Sequence, residues 1–258
     1  MLPVKMRALK SSGMQWMRQH RPGSLAGLAV AVTASLGVAF GLTACVNVAT
    51  YTQPSLVRVI DASYIAPAAN VVVEGVLIAS NIGQGTITSY ATVPANNAAP
   101  IKITEATGGS ALVTTDGTLL AGHQHSIFLT DNGAAPTSYM VTILEDQQVA
   151  AAGGHSAFRF LNQAPKVGAL DVYMIPSGTT LANTTALVSK LAVGSTAGYV
   201  SFPSQTVTMV IVPTGLTSPK YTSASMALTG GEVRTVLIVD TQLTSDPPVA
   251  VYVANDVN

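Results

Sequence analysis

The chain has 258 residues, 48% of them hydrophobic and only 9% charged, with twelve basic residues against twelve acidic ones. About a quarter charged is usual for a soluble protein, so Ala, Val, Thr, Ser and Gly fill the gap, which favours short β-strands over charged amphipathic helices. The neutral total is uneven. Lys5, Arg7, Lys10, Arg18 and Arg21 all precede an apolar tract, and taking these five from the twelve leaves seven basic against twelve acidic residues, a charge near −5. With no basic patch interleaved by aromatics, that balance argues against nucleic acid as a partner.

In chain order, residues 1–23 are basic and polar, residues 24–44 (SLAGLAVAVTASLGVAFGLTA) are uncharged, and Cys45 follows at once. The tract is long enough to span a bilayer as a retained helix. Yet 13 of its 21 residues are Ala, Gly, Ser or Thr, which suits a signal peptide with small residues near its cleavage point. Leu42-Thr43-Ala44-Cys45 resembles the bacterial lipobox. That resemblance implies a signal peptide over residues 1–44, a diacylglyceryl group on the Cys45 thiol, and cleavage just before it. A plain cleaved signal and a retained helix are the alternatives. Two or three acyl chains anchor a protein stably, so the expected address is the cell envelope with the membrane as partner. If the organism is Gram-negative, the outer membrane is expected, since Val46 and not Asp follows the cysteine. A buried core cysteine is the competing reading, but Cys45 precedes every strand-like run. As the single cysteine of the chain, it leaves no internal disulfide, and stability must come from packing. Met14 or Met17 as the start would give a more usual leader carrying Arg18 and Arg21.

After a linker at 45–53 the chain can be laid on itself. Residues 57–61 (VRVID) match 158–162 (FRFLN) at an offset of 101, as do Asn70-Val71-Val72-Val73 and Asp171-Val172-Tyr173-Met174. An insertion of about eight residues at 176–183 moves the offset to 109. There Ser89-Tyr90 meets Gly198-Tyr199, Gly122 meets Gly231, 125–131 (HSIFLTD) meets 234–240 (RTVLIVD), and 139–144 (YMVTIL) meets 248–253 (PVAVYV). Two copies follow, at 54–152 and 153–258, with Gly153-Gly154 as the joint. A unit of about 100 residues suits a self-contained sandwich.

Strand-like runs in the first copy are 56–60, 70–78, 101–106, 126–130 and 139–144; in the second they are 158–161, 170–175, 206–212, 233–239 and 249–253. All are short, rich in Val, Ile and Thr, and bounded by Gly, Pro and Asn. Asp116-Gly117 and Asn132-Gly133 are turn dipeptides. Residues 186–192 (ALVSKLA) fit a short helix or a strand. The expected fold is all-β: two tandem immunoglobulin-like β-sandwich domains of about seven strands each, behind a signal peptide.

The opening of the repeat, Val57-Arg58-Val59-Ile60-Asp61-Ala62-Ser63 with Pro67, Asn70 and Gly75, is similar to a bacterial envelope family known as domain of unknown function 4397. The second copy keeps Arg159, Asn162, Ala164, Pro165 and Asp171-Val172-Tyr173, and glycines before a later strand recur at Gly122 and Gly231. Asp61 and Tyr64 depart from the family pattern. The resemblance implies an immunoglobulin-like fold and an envelope location, and no activity. Arg58 with Asn70, and Arg159 with Asp171, are expected on neighbouring strands, each guanidinium serving loop carbonyls or the carboxylate.

Chemistry is sparse. His123 and His125 are the best metal candidates, since residues i and i+2 of a strand share a face, with His155 or Asp131 as a third ligand. Glu232 and Arg234 hold the equivalent positions, so a solvent-facing pair after a turn is expected, with no metal and no cofactor. No serine sits in a nucleophile elbow. Glu145 and Asp146 adjoin and should face opposite ways, a poor acid–base pair. The first reading is therefore a non-catalytic structural or interaction scaffold on the membrane, its partner an envelope protein. The second is an extracellular module for carbohydrate or cell-wall polymer, with Tyr64, Tyr139 or Tyr221 as contacts. A metal-dependent or hydrolytic enzyme comes last.

Overall fold

Runs of β-branched residues punctuated by glycine fold as strands throughout residues 52–132, 137–242 and 244–257, which the computed structural model describes. The expected signal segment, Cys45, most of the linker and Gly133 of the Asn132-Gly133 turn lie outside the described residues. In chain order, β1 is Ser55–Asp61, β2 Ala69–Val73, β3 Val76–Ile82, β4 Ala91–Val93, β5 Asn96–Glu105, β6 Ala111–Leu119, β7 Gln124–Asp131 and β8 Tyr139–Glu145. They make two four-stranded sheets, β4-β1-β7-β8 and β3-β2-β5-β6, antiparallel except that β1 runs parallel to β7.

The second half repeats the plan. Its strands are β9 His155–Gln163, β10 Leu170–Pro176, β11 Val188–Leu191, β12 Thr196–Pro203, β13 Thr206–Pro213, β14 Tyr221–Thr222, β15 Met226–Ala227, β16 Val233–Asp240 and β17 Val249–Asn255. One sheet has the order β12-β9-β16-β17, the other β11-β10-β13-β14 with β15 also on β13. Here β9 runs parallel to β16. The all-β sandwich expected from the sequence is what the chain forms.

Two local expectations need correction, and one open alternative is decided. Residues 70–78 are not one strand but a hairpin. Glu74 and Gly75 both adopt positive φ, 52° and 74°, and this two-residue turn pairs Val73 with Val76, in the manner of tight hairpins. Asp116-Gly117 is not a turn, because β6 runs through it and Gly117 pairs with Ala99. A Cβ at Gly117 would run into the side chains of Ile143 and Ile101, so this glycine serves close approach between strands. Within residues 186–192, which fitted a short helix or a strand, Val188–Leu191 form a strand, β11.

Three apolar cores hold the layers. Val57, Val71, Ile101, Ile127 and Leu129 belong to the one between the first pair of sheets, and Phe158, Phe160, Val172, Ile211 and Val236 to the one between the second pair. A third joins the sandwiches: Ile60, Ala62, Phe128, Leu161, Leu237, Val239 and Ala254. The sheets built on β1 and β9 therefore sit inside a four-layer stack with both faces covered. Their strands show it, since β7 is buried from His125 to Asp131 and β9 from Ser156 to Gln163, where a one-sided strand would alternate. The sandwiches are thus not self-contained, and the described residues form one compact unit. Among the described residues no helix is long and apolar enough to cross a membrane.

Phe128 is fully buried in the shared core. Phe128→Ala should cost about 3–5 kcal/mol, read from the midpoint of urea unfolding, and the variant should still unfold in one transition because both halves lose the same contact.

Candidate functional site

Polar chemistry collects along the joint between the inner sheets, and its densest part is a charge exchange. Arg58 on β1 donates through Nε to Ser126 Oγ on its parallel neighbour at 2.7 Å. Its other nitrogens reach out of the first sandwich, to the carbonyl of Asn255 and the carboxylate of Asp256 just past β17. Arg159 on β9 does the reverse. It donates to Thr235 Oγ1 within the second sandwich and crosses to the carbonyl of Glu145 and the carboxylate of Asp146, just past β8. Both arginines and both aspartates are buried. Arg58 also lies 3.7 Å from Asp146, so four charges form one neutral cluster about an approximate two-fold axis.

The rest of the cluster follows the same symmetry. The Tyr90 ring lies under the Arg58 guanidinium and the Tyr199 ring under that of Arg159, at 4.8 and 4.9 Å to the ring centres, within cation–π range. Tyr90 donates its hydroxyl to Asp146 and Tyr199 to Asp256, each at 2.7 Å. Ser126 donates to Asp146 and Thr235 to Asp256, again at 2.7 Å. Burial and the adjacent carboxylates push both phenols up, out of the range where they would ionise. Burial also pushes Asp256 up, opposed by Thr235, Tyr199 and Arg58.

This overturns the expected pairing of Arg58 with Asn70 and Arg159 with Asp171. β1 and β2 lie in different sheets. Asn70 Oδ1 instead accepts the backbone N–H of Asn81 at 2.9 Å, and Asp171 Oδ1 that of Lys190 at 2.7 Å. Asn81 and Lys190 both have φ near 50°, so the two side chains steady a left-handed kink at the same place in each half. The carbonyl contacts expected of the arginines are present, but the carbonyls belong to the opposite sandwich. Asp256 did not stand out in the sequence, Asp146 did so only as the neighbour of Glu145, and neither Tyr90 nor Tyr199 was read as a site residue. The alignment of Tyr90 with Tyr199 was the available signal.

The histidines do not share a face. β7 begins at Gln124, leaving His123 in the preceding turn, where Nδ1 meets Glu145 Oε1 at 2.6 Å in an exposed pair. His125 is buried, contrary to the solvent-facing expectation. Its Nδ1 lies 3.0 Å from Ser55 Oγ, and its Nε2 accepts the Leu120 N–H at 3.4 Å. Ser55 Oγ donates to the His123 carbonyl at 3.3 Å, so the His125 proton sits on Nδ1 and points at the serine. That polarity is the reverse of a base activating a nucleophile. Burial lowers the His125 pKa and keeps the ring neutral. Glu145 and Asp146 do face opposite ways, one exposed and one buried. Among the described residues no group of three or more His, Cys, Asp or Glu is placed to hold a metal ion.

Tyr139 and Tyr221 are partly buried and pack against the first and second cores. Tyr64 lines a crevice at the far end of the joint, with its hydroxyl buried and unpartnered. An aromatic groove was missed: Tyr173 lies beside Leu181, Ala182 and Leu216 in a groove of about 410 Å³, one wall of which is a turn at Leu181–Asn183 within the insertion. Removing one partner from a buried ion pair costs about 3–5 kcal/mol. Arg58→Met and Arg159→Met should each lose that much in urea unfolding, and by nearly equal amounts, because their surroundings match.

None of the curated proteins matches this chain. Among solved structures, it is similar to CBMbc (family CBM26) from Eubacterium rectale Amy13K in complex with maltoheptaose, with 11% identity, 76% of this chain and 96% of that chain covered, and a TM-score of 0.23. A likeness that low carries no inference about this chain. Residues 55–173, from β1 into β10, match the model of the family described as Domain of unknown function (DUF4397), which supports the family that the repeated opening resembles.

Proposed function

We propose that the chain is a non-catalytic structural or interaction protein of the cell envelope, tethered by a lipid on Cys45, with residues 54–152 and 153–258 as two copies of one domain. The observation that carries the reading is the fate of the reactive groups. Both buried arginines, the two aspartates that meet them and their tyrosines are spent on holding layers together, and the buried histidine is spent on bonds within its own sheet and the loop before it. What faces outward is poor in charge and built of strand edges and turns, a surface suited to contact with other molecules and not to bond-breaking. A four-layer body tethered by a lipid would present such surfaces away from the membrane.

One feature favours a second reading, a module that binds an extracellular polymer. The groove beside Tyr173 owes a wall to an insertion that the first half lacks, and an aromatic ring in an open groove is a usual way to bind sugar or peptide.

Mass spectrometry of the mature N-terminus should find an acylated Cys45, and Cys45→Ala should release or stall the protein while its circular dichroism stays that of a folded β-protein. A mature chain starting elsewhere, unmodified, overturns the anchor. Crosslinking on intact cells should then recover an envelope protein. A glycan-array signal lost in Tyr173→Ala, with no protein crosslinked, would move the assignment to the polymer-binding module.

A further inference from the structure

The two ends of the joint between the inner sheets obey opposite rules. At one end two arginines and two aspartates cancel. At the other, Asp61, Asp131 and Asp240 are 0%, 6% and 3% exposed, with no guanidinium among them. Asp131 and Asp240, one from each sandwich, line a crevice with Tyr64, Gln163, Pro165 and Val239 that has no room for a water molecule. Asp61 Oδ2, Asp240 Oδ1, Gln163 Oε1, Thr130 Oγ1 and Tyr64 Oη are buried there or close by without a hydrogen-bond partner. Asp131 and Asp240 accept from the Ser63 hydroxyl and from the Tyr64 and Lys166 N–H groups, but Asp61 Oδ2 and Asp240 Oδ1 have no donor and no room for water beside them, so charge on those two oxygens is relieved by a proton.

The internal repeat supplies a control. Asn162 holds the place of Asp61 at the end of β9: its Oδ1 accepts the Ala164 N–H at 2.9 Å, as Asp61 Oδ1 accepts that of Ser63 at 3.1 Å. The Asn162 amide then donates to the Gly168 and Leu191 carbonyls, each at 2.9 Å. Asp61 puts an oxygen where that NH₂ group lies. As a carboxylate it has only lone pairs to offer at that position, whereas as a carboxylic acid it has a donor.

We propose that this end of the joint is a proton-linked closure, in which Asp61 is kept as a carboxylic acid and the Asp131–Asp240 pair takes up proton as the sandwiches close. The phenols facing the three carboxyls are Tyr64 after β1, Tyr139 on β8 and Tyr252 on β17, none of which brings positive charge. Glu105 on β5 adds negative charge near Tyr139, and the exposed Lys166 after β9 is the cation acting on Asp240. Burial above all raises Asp61 from 3.8 to about 6, against the Ser63 N–H and with the Asp131 charge. Asp131 and Asp240 are raised mainly by burial too, opposed by the Ser63 hydroxyl at Asp131 and by loop N–H groups at both. A raised carboxyl stabilises the folded state most below its unfolded value, and that contribution goes as pH rises through the folded one. The joint is therefore tightest below about pH 4 and loosens toward and above about pH 6.

The test is urea unfolding of the full mature chain from pH 4 to pH 8, for the wild type, Asp61→Asn and Asp240→Asn. The wild-type unfolding constant should rise by about a hundredfold from the Asp61 shift across this range, and Asp61→Asn should lose most of that rise while Asp240→Asn loses part. A pH slope unchanged in both variants overturns the proposal. If Asp61→Asn fails to fold, infrared difference spectra of the wild type decide, since a protonated-carboxyl band at pH 5 that vanishes at pH 8 supports it and no such band sinks it. Hydrogen exchange locates the effect: the Tyr64 and Lys166 amides, which donate to Asp131 and Asp240, should exchange faster at pH 8 than core amides do. With the base catalysis common to all amides divided out, a uniform loss of protection across the chain would refute the placement at the joint.

Discussion

Two guanidiniums that cannot be satisfied at home set the terms for this structure. Arg58 sits on an inner strand with both faces covered, and its carboxylate partner is Asp256, 198 residues along the chain. Arg159 meets Asp146 in the mirror arrangement. Buried ion pairs add little stability over well-packed apolar groups, yet a buried arginine left unpaired is costly. The exchange therefore acts chiefly as specification: any packing of the halves that slides or rotates the inner sheets strands two charges. Apolar contacts around Phe128, Leu161 and Leu237 can tolerate a shifted register, but the charge cluster cannot. The arrangement has the form of an isologous two-fold interface, residue for residue, made within one chain.

Double coverage of the inner sheets follows from that joint and explains the strand chemistry. On β9, Phe158 and Phe160 turn to the second core while Arg159, Leu161 and Gln163 turn to the joint, so no residue from Ser156 to Gln163 is left for water. Outer strands such as β5 alternate instead, with Ala99, Ile101 and Ile103 inward and Lys102 outward. The low charge of the chain becomes intelligible on these terms, because a four-layer stack gives much of its sheet surface to self-contact.

Much of this was written in the sequence. The matched segments fall on strands at the same places in the two sheet orders, and the Val- and Ile-rich runs marked strands such as β2 and β13 because burial selects the residues that β-propensity rewards. Misreadings arose where a local signal met a tertiary demand. Gly117 looks like a turn residue beside Asp116, but it is small for the sake of Ile143 across the sandwich. The Arg58–Asn70 pairing assumed that residues close in sequence lie on adjacent strands, and a partner 198 residues away leaves no local trace. One clue was present: HSIFLTD and FRFLNQ lack the alternation of a half-exposed strand, which signals a second covered face. Short edge strands such as β4, β14 and β15 left little pattern to find, being two or three residues long.

The same internal symmetry sorts structural features from functional ones. A group with a counterpart doing the same work in the other half, as Tyr90 has in Tyr199 or Asn70 in Asp171, is explained by the architecture the halves share. Attention then falls on what one half has alone. The first half has Asp61 where the second has an amide, and His125 where the second has Arg234. The second half has the insertion at 176–183 and the groove it helps to build beside Tyr173. His125 is accounted for by Ser55 and Leu120, and Arg234 by its ion pair with Glu232. Asp61 and the groove have no such local account. A carboxyl placed where an amide would serve better, and a cavity made by added residues, each depart from the simplest way to build the fold, and such departures are where selection for something besides folding would leave its mark.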